Sequence, residues 1–201
     1  MEAKQLAAVV LLVTVGVTPL ALTWAKPVRR AVLMTKDERD LYAALLDLYV
    51  PVFRKLTGTN PPFINLANTT TTLDVGREVK KNKECLRRII LDDPKRTMRQ
   101  VHALDGDLVS GRDLRLVDST QQSAILGAIG HGMSATTSGQ LTLEANLLQL
   151  SEIALDKTHR FAAIRYTFSC GNVCGRGGIV IFEKSGDEWR ESHRQCVGWI
   201  S

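Results

Sequence analysis

Ser169-Cys170-Gly171-Asn172-Val173-Cys174-Gly175-Arg176-Gly177-Gly178 is the stretch on which the fold turns. Glycines crowd both cysteines and permit a tight reversal of the backbone. Upstream, Ala162, Ile164, Tyr166, Phe168 and Cys170 fall on one face of an extended chain, and Ala163, Arg165, Thr167 and Ser169 on the other. That period of two marks a half-buried strand with a polar outer face. Downstream, Ile179-Val180-Ile181-Phe182 is apolar on both faces and should sit centrally. Lys184-Ser185-Gly186-Asp187-Glu188 is a turn, and a last strand runs from Trp189 to Ile200. Its polar middle, Glu191 to Arg194, implies a bulge or an exposed sheet face. Leu147 to Leu155 opens this sheet and Asp156-Lys157-Thr158-His159 turns it. The expectation is an antiparallel meander over 147–200, with Trp189 and Trp199 in its core or at its margin.

Helices should cover that sheet. Thr35-Lys36-Asp37-Glu38 is a capping box, a Thr N-cap with Glu three residues on. It opens a helix over 36–57, with Leu41, Ala44, Leu45, Leu48, Tyr49 and Val52 at helical spacing. Pro51 should kink it or end it near Tyr49. Further helices are expected over 77–91, over 94–104 behind an Asp93 cap and Pro94, and over 119–130 behind a second box, Ser119 to Gln122. Phe63 to Ala67 and Leu114 to Val117 read as short strands, and Thr69 to Thr72 as a solvent-facing edge. The pattern predicts an α+β fold, with N-terminal helices on a C-terminal antiparallel β-meander.

The chain has 201 residues, 44% hydrophobic and 23% charged, an ordinary globular composition. Leu6 to Leu22 is apolar and uncharged, and Lys4 precedes it. Residues 1–25 therefore read as an export signal cut after Ala25, and 26–201 as one domain. The rival reading is a membrane anchor over residues 6–22, at the short end of the spanning range. Lys26, Arg29 and Arg30 just beyond it weigh against translocation without reversing the export reading.

Net charge is +5, and residues 77–99 account for an equal excess: nine basic side chains against four acids. Lys80, Lys81, Lys83, Arg87, Arg88, Lys95, Arg96 and Arg99 form a candidate face for an anionic partner, such as an envelope surface. A charge run of this kind is more often a solvated helix face. No aromatics interleave the basic residues, so stacking on nucleic-acid bases has no support.

Cys85, Cys170, Cys174 and Cys196 are the four cysteines, an even number behind an export signal, which points to disulfides. Three complete pairings are open. Cys170 with Cys174 is local, Cys196 on the neighbouring strand could capture either, and Cys85 would approach from the second helix. Two sharper uses are also open. Cys170, Cys174, His193 and Cys196 could bind zinc, although the spacings fall short of paired knuckles. Cys170 or Cys174 with His193 could act as a thiol nucleophile or redox pair, although no third orienting group is evident. His131, between glycines, is accessible but alone. Gly127-x-x-Gly130-x-Gly132 neither follows a strand nor opens a helix, so it is no nucleotide fingerprint.

Taken together, Cys170, Gly171, Cys174, Gly175, Gly177, Lys184, Gly186, Trp189, Trp199, Ile200 and Ser201 resemble the C-terminal module of a group of bacterial exported proteins and lipoproteins of uncharacterised function. The resemblance covers about residues 147–201. It implies export and the cysteine hairpin, and no activity. This chain differs in having no cysteine before Cys85 to acylate, and in carrying Cys196. The function expected is a non-enzymatic binding module of the envelope or the exterior, for a ligand or protein partner not legible here. No catalytic residue, metal or cofactor is assigned. A thiol-dependent hydrolase or redox enzyme and a zinc-binding module are the alternatives.

Overall fold

The computed structural model describes residues 33–57, 62–86, 93, 95–130, 145–170, 174–192, 196 and 198–200, with backbone alone at 83, 84 and 128–130. The expected cleavage site, the 6–22 segment, His131 and His193 lie outside the described residues, as do Arg87, Arg88 and the Lys83 side chain. Among the described residues no helix is long and apolar enough to cross a membrane.

The first helix, α1 (Lys36–Thr57), begins where the capping box places it. The Thr35 amide donates to Glu38 Oε2 at 2.8 Å, and the Glu38 amide donates to Thr35 Oγ1 at 3.3 Å. Asp37 and Glu38 in the first turn and Arg54 and Lys55 in the last complement the helix dipole. Leu41, Tyr42, Leu45, Leu46, Val50 and Phe53 make the buried stripe. Pro51 does not end the helix near Tyr49, the second of the two outcomes expected of it. Val50 and Phe53 on either side of it are buried, and Phe53 stacks on Phe168 with ring centroids 4.6 Å apart. Burying such side chains is worth about 1.5–3 kcal/mol each, enough to offset the roughly 3 kcal/mol cost of an interior proline.

The sheet has eight strands: β1 (Ile64–Ala67), β2 (Leu114–Val117), β3 (Asn146–Leu150), β4 (Ala154–Leu155), β5 (Phe161–Cys170), β6 (Cys174–Ser185), β7 (Glu188–Glu191) and β8 (Trp199–Ile200). The order is β2-β1-β3-β5-β6-β7, with β4 on β5 and β8 on β6. From β3 onward the pairing is the expected antiparallel meander, Cys170 opposite Cys174 and Phe161 opposite Glu183. The added feature is that β1 pairs parallel with both β2 and β3, so the sheet is mixed. Between β1 and β3 only Leu66 and Leu148 are in register. Buried Asn65 and Asn146 bond each other's main chain instead: the Asn65 amide donates to Asn146 Oδ1 at 2.7 Å, and Asn65 Nδ2 to the Asn146 carbonyl at 3.0 Å.

Both sheet faces are covered, as the doubly apolar β6 requires. Val180 and Phe182 join Ile164, Tyr166 and Phe168 in the core under α1. Ile179 and Ile181 join Ala163, Leu73, Cys85 and Leu86 in a smaller core on the opposite face. That second core lies under α2 (Val75–Lys81) and α3 (Lys83–Leu86). The single helix expected over 77–91 therefore starts two residues earlier, capped by Asp74, whose Oδ1 accepts from the Arg77 amide at 3.0 Å. It breaks at Asn82.

Over 94–104 only α4 (Arg96–Arg99) is helical, because His102 and Ala103 turn extended to meet the Thr69–Thr71 segment. That segment is no solvent-facing edge: Thr70 is buried. One further helical turn, α5 (Gly106–Val109), is capped by Asp105. The last helix, α6 (Ser119–Gly130), matches its expected span. Its cap is Asp118, whose Oδ1 accepts from the Thr120 and Gln121 amides at 2.9 Å. Gln122, expected to complete a capping box, is buried and donates to the Asn146 carbonyl at 3.1 Å.

Candidate functional site

The cysteine hairpin forms as a local unit. Cys170 and Cys174 pair directly across β5 and β6 and are bonded, with Cα atoms 5.0 Å apart. Cys85 of α3 is bonded to Cys196, across a sequence separation of 111. This bond staples α3 over the second core to the segment that leads into β8. No cysteine is free. The zinc set and the thiol nucleophile both need sulfurs that here are spent in disulfides. Their fourth member, His193, lies outside the described residues. Among the described residues no group of three or more His, Cys, Asp or Glu is placed to hold a metal ion.

Three of the resemblance residues explain themselves in space. Gly186 has φ +64°, the left-handed geometry that its tight turn requires and glycine tolerates. Lys184 Nζ reaches both Asp37 oxygens at 2.7 and 2.9 Å and lies 5.4 Å from the Trp189 ring centroid, tying β6 to α1. Gly177 is the seat of Trp199. A Cβ on Gly177 would lie 2.3 Å from the Trp199 Nε1 atom, so only hydrogen leaves room for the indole. Gly198 is held just as closely, since a Cβ there would lie 2.8 Å from the Gly177 carbonyl oxygen. Trp189 is buried in the core, whereas Trp199 sits at the sheet margin, 47% exposed, and Ile200 is 82% exposed.

Trp199 borders two clefts. One, of about 470 Å³, has Glu78, Lys81 and Asn82 of the α2 segment on one wall, and Arg165 and Thr167 of β5 on the other. Trp199, Gly178 and Gly198 also line it. The second, of about 240 Å³, lies towards α1, between Tyr49, Tyr166, Arg176 and Glu191. There Tyr49 Oη donates to Glu191 Oε1 at 3.0 Å. Burial, and then the Glu191 carboxylate, push the Tyr49 phenol well up, so it stays a donor.

In the larger cleft the Arg165 guanidinium is held by Glu78 Oε1 at 3.3 Å and by the Thr72 carbonyl at 3.3 Å. The other Glu78 oxygen accepts from Asn82 Nδ2 at 3.3 Å. Lys81 is exposed and enters no ion pair among the described residues.

The basic face is only partly a free surface. Lys80, Lys81, Lys95 and Arg99 are exposed. Arg96 turns inward instead: its Nη2 bonds buried Glu38 Oε1 and its Nε bonds Gln100 at 3.3 Å. It serves an interior charge rather than a partner.

That interior charge belongs to a cluster with no signature in the sequence. His102 is 3% exposed and Glu152 is 1% exposed. His102 Nδ1 lies 2.8 Å from Glu152 Oε2, and Nε2 faces Glu38 Oε2 at 3.8 Å. Glu152 Oε1 also accepts from Thr70 Oγ1 and from the His102 amide at 2.9 Å. The Glu152 bond outweighs burial and raises the His102 pKa above its ordinary value. Burial alone would raise the Glu38 pKa, but Thr35, Arg96 and His102 together hold it below the usual carboxylate range. Buried Tyr42 donates to the Ser151 carbonyl at 2.9 Å beside them. A histidine between two carboxylates has the parts of a general base, yet its groups are walled in and each is engaged by a fixed partner. Glu38, His102 and Glu152 are all buried, and of the groups that hold them Arg96 and Thr35 reach solvent. The cluster joins α1, the 97–103 segment and the strand exit at 151–152. Its residues stand too far apart in sequence for any motif to announce them.

Comparison of the chain with family models, with curated proteins and with solved structures finds no match.

Proposed function

We propose that the protein is an exported, non-catalytic binding module and that its ligand lies in the cleft beside Trp199. The observation that carries this reading is Trp199 itself. It is a large aromatic left half-exposed, seated on a glycine whose Cβ would displace the ring, and it borders a cleft with a cation, Lys81, that has no ion pair among the described residues. A concave site with one aromatic face and a few polar groups is the usual build of a ligand pocket. Two disulfides suit an oxidising compartment, in keeping with the apolar 6–22 segment as an export signal. The candidate base, His102, is sealed from reactants, so the reading has no catalytic step.

Of the chain's three tryptophans, Trp24 falls within the expected leader. Trp189→Phe therefore leaves Trp199 as the single indole of the mature chain. Its emission is followed while solubilised envelope polysaccharide, and separately anionic phospholipid vesicles, are titrated in. A saturable shift that Trp199→Ala abolishes is expected with one of them. No shift with either, or binding unchanged in an unlabelled Trp199→Ala protein, rejects the reading. The thiol alternative is tested by intact mass. Alkylation without reduction should add nothing, and a labelled thiol would move the hairpin into contention as an active site.

A further inference from the structure

We infer that the larger Trp199 cleft takes a saccharide bearing a carboxylate, an inference that rests on the binding-module reading above and names its ligand class. The cleft is about 470 Å³ and open, and its three kinds of surface are separately placed. The first is the indole. The Nε1, Cε2 and Cζ2 atoms of Trp199 lie against Gly177, and the residue is still 47% exposed. A π face is electron-rich, and the C–H groups of a sugar ring are weakly positive, so the two stack with little ordering cost on a side chain already fixed.

The second surface mixes donors and acceptors. Glu78 presents a carboxylate, and Asn82 and Thr167 an amide and a hydroxyl. Glu78 already accepts from Arg165 and Asn82, and Thr167 donates to Gln149 at 3.5 Å, but the oxygens of all three keep lone pairs, which the hydroxyls of a polyol can meet. A polyanion cannot: Glu78 would repel it, and Arg165 is already held by Glu78. The third surface is Lys81, a cation on the same wall with no carboxylate partner among the described residues. One surplus positive charge beside hydroxyl-binding groups matches one carboxylate on the sugar. A phosphate-rich lipid surface or a nucleic-acid backbone asks for several unpaired cations within the cleft, and among the described residues Lys81 is the one cation lining it without an ion pair.

Two matched pairs of probes separate the features. N-acetylglucosaminyl-N-acetylmuramic acid differs from N,N′-diacetylchitobiose by a lactyl ether that carries one carboxylate. Galacturonic acid differs from its methyl ester by one charge and one methyl group. Each is titrated into the Trp189→Phe protein with Trp199 emission as readout, alongside phosphatidylglycerol vesicles. At least one carboxylated sugar should bind more tightly than its neutral partner by about fivefold. Trp199→Ala should weaken that binding roughly tenfold or more, as loss of a central aromatic anchor does. Lys81→Gln, an exposed change that leaves the fold alone, should erase the acid preference and keep the neutral affinity. Raising salt from 0.05 to 0.5 M should shrink the preference, because screening acts on the exposed Lys81.

Equal affinity for acid and ester overturns the carboxylate assignment. Trp199-dependent binding of vesicles with no sugar bound overturns the saccharide class while sparing the binding module. Silence of all probes, with Trp199 emission also unmoved by envelope polysaccharide, overturns both.

Discussion

Two sets of charged residues flank this sheet, similar in chemistry and opposite in use. Under α1, Glu38 and Glu152 face Arg96 and His102. Beside β8, Glu78 faces Arg165, with Lys81 left over. In the first set every group is buried or turned inward onto a fixed partner, and the charges balance only while His102 carries its proton. In the second set the pair is half-open and one cation has no ion-pair partner among the described residues. A histidine between carboxylates would ordinarily draw attention as a catalytic site, yet access distinguishes the two sets. Buried ion pairs hold segments in register and punish the loss of one member. An open, incompletely paired set retains capacity for a ligand.

The largest expected effect concerns the staple on the open side. In the chain-entropy picture, Cys85→Ala with Cys196→Ala should cost roughly 4–5 kcal/mol, because the loop is long, against about 2 kcal/mol for Cys170→Ala with Cys174→Ala. Urea denaturation of both double variants checks the order. A larger loss from the hairpin pair would mean that the long bond contributes little to holding α3 against β8.

Next comes the closed set. Glu152→Ala strips His102 and Thr70 of their acceptor inside the core and should cost about 3–5 kcal/mol. If the urea midpoint hardly moves, the cluster is not the sealed network described above.

Gly177→Ala follows, since its new methyl must displace the Trp199 ring. Overpacking of this kind typically costs about 1–3 kcal/mol, and ligand binding at Trp199 should fall with it. A variant that keeps full stability and binding would show that the indole has another resting place.

Within the closed set, pH acts with opposite signs on His102 and Glu38. The folded pKa of His102 is raised above 6.5, so its contribution is complete below 6.5 and fades as pH climbs through the elevated value. The folded pKa of Glu38 is lowered below 4.5, so its contribution holds above 4.5 and is lost as pH drops through the depressed value. The cluster therefore stabilises most between 4.5 and 6.5. A melting-temperature series should show an alkaline decline that His102→Gln flattens. Part of the acid decline should survive Glu38→Gln, because hydrogen bonds from Phe161, Thr158 and Arg160 outweigh burial and lower the Asp156 pKa as well.

Lys81→Gln should have the smallest effect on folding, within about 0.5 kcal/mol, as an exposed substitution away from any network. A larger shift in its urea midpoint would mean that Lys81 belongs to a structural network and not to an open site.

The legible parts of the fold and the missed ones differ by distance along the chain. Thr35 and Glu38 sit three residues apart and cap each other, so the start of α1 could be read directly. The alternation from Ala162 to Cys170 gave the faces of β5, and the two-faced apolarity of Ile179 to Phe182 gave β6 its central place. Pro51, read as a kink or an end, does not end the helix, because Phe53 beyond it packs on Phe168. The Thr69–Thr72 run, read as an outer edge, was drawn inward by Glu152. Gln122, read as half of a cap, is used by Asn146 instead. Of the candidate site, the cysteine hairpin and Trp199 were visible as a pattern, but the cleft between Lys81 and Trp199 was not.

What residues dictate through their near neighbours was settled before any folding: one helix start, the strand periodicity, the meander and the turn at Gly186. Contacts across the molecule settled the rest. They selected Cys85–Cys196 among three pairings, placed β1 parallel to β2 and β3, sealed His102 between carboxylates 64 and 50 residues away in the sequence, and laid Trp199 on Gly177. Neighbours within a turn or a pleat meet whatever the remainder of the chain does. Residues a hundred positions apart meet only when the sheet and its two cores have closed between them, and the free energy that brings them together is shared among all the groups buried in that closure.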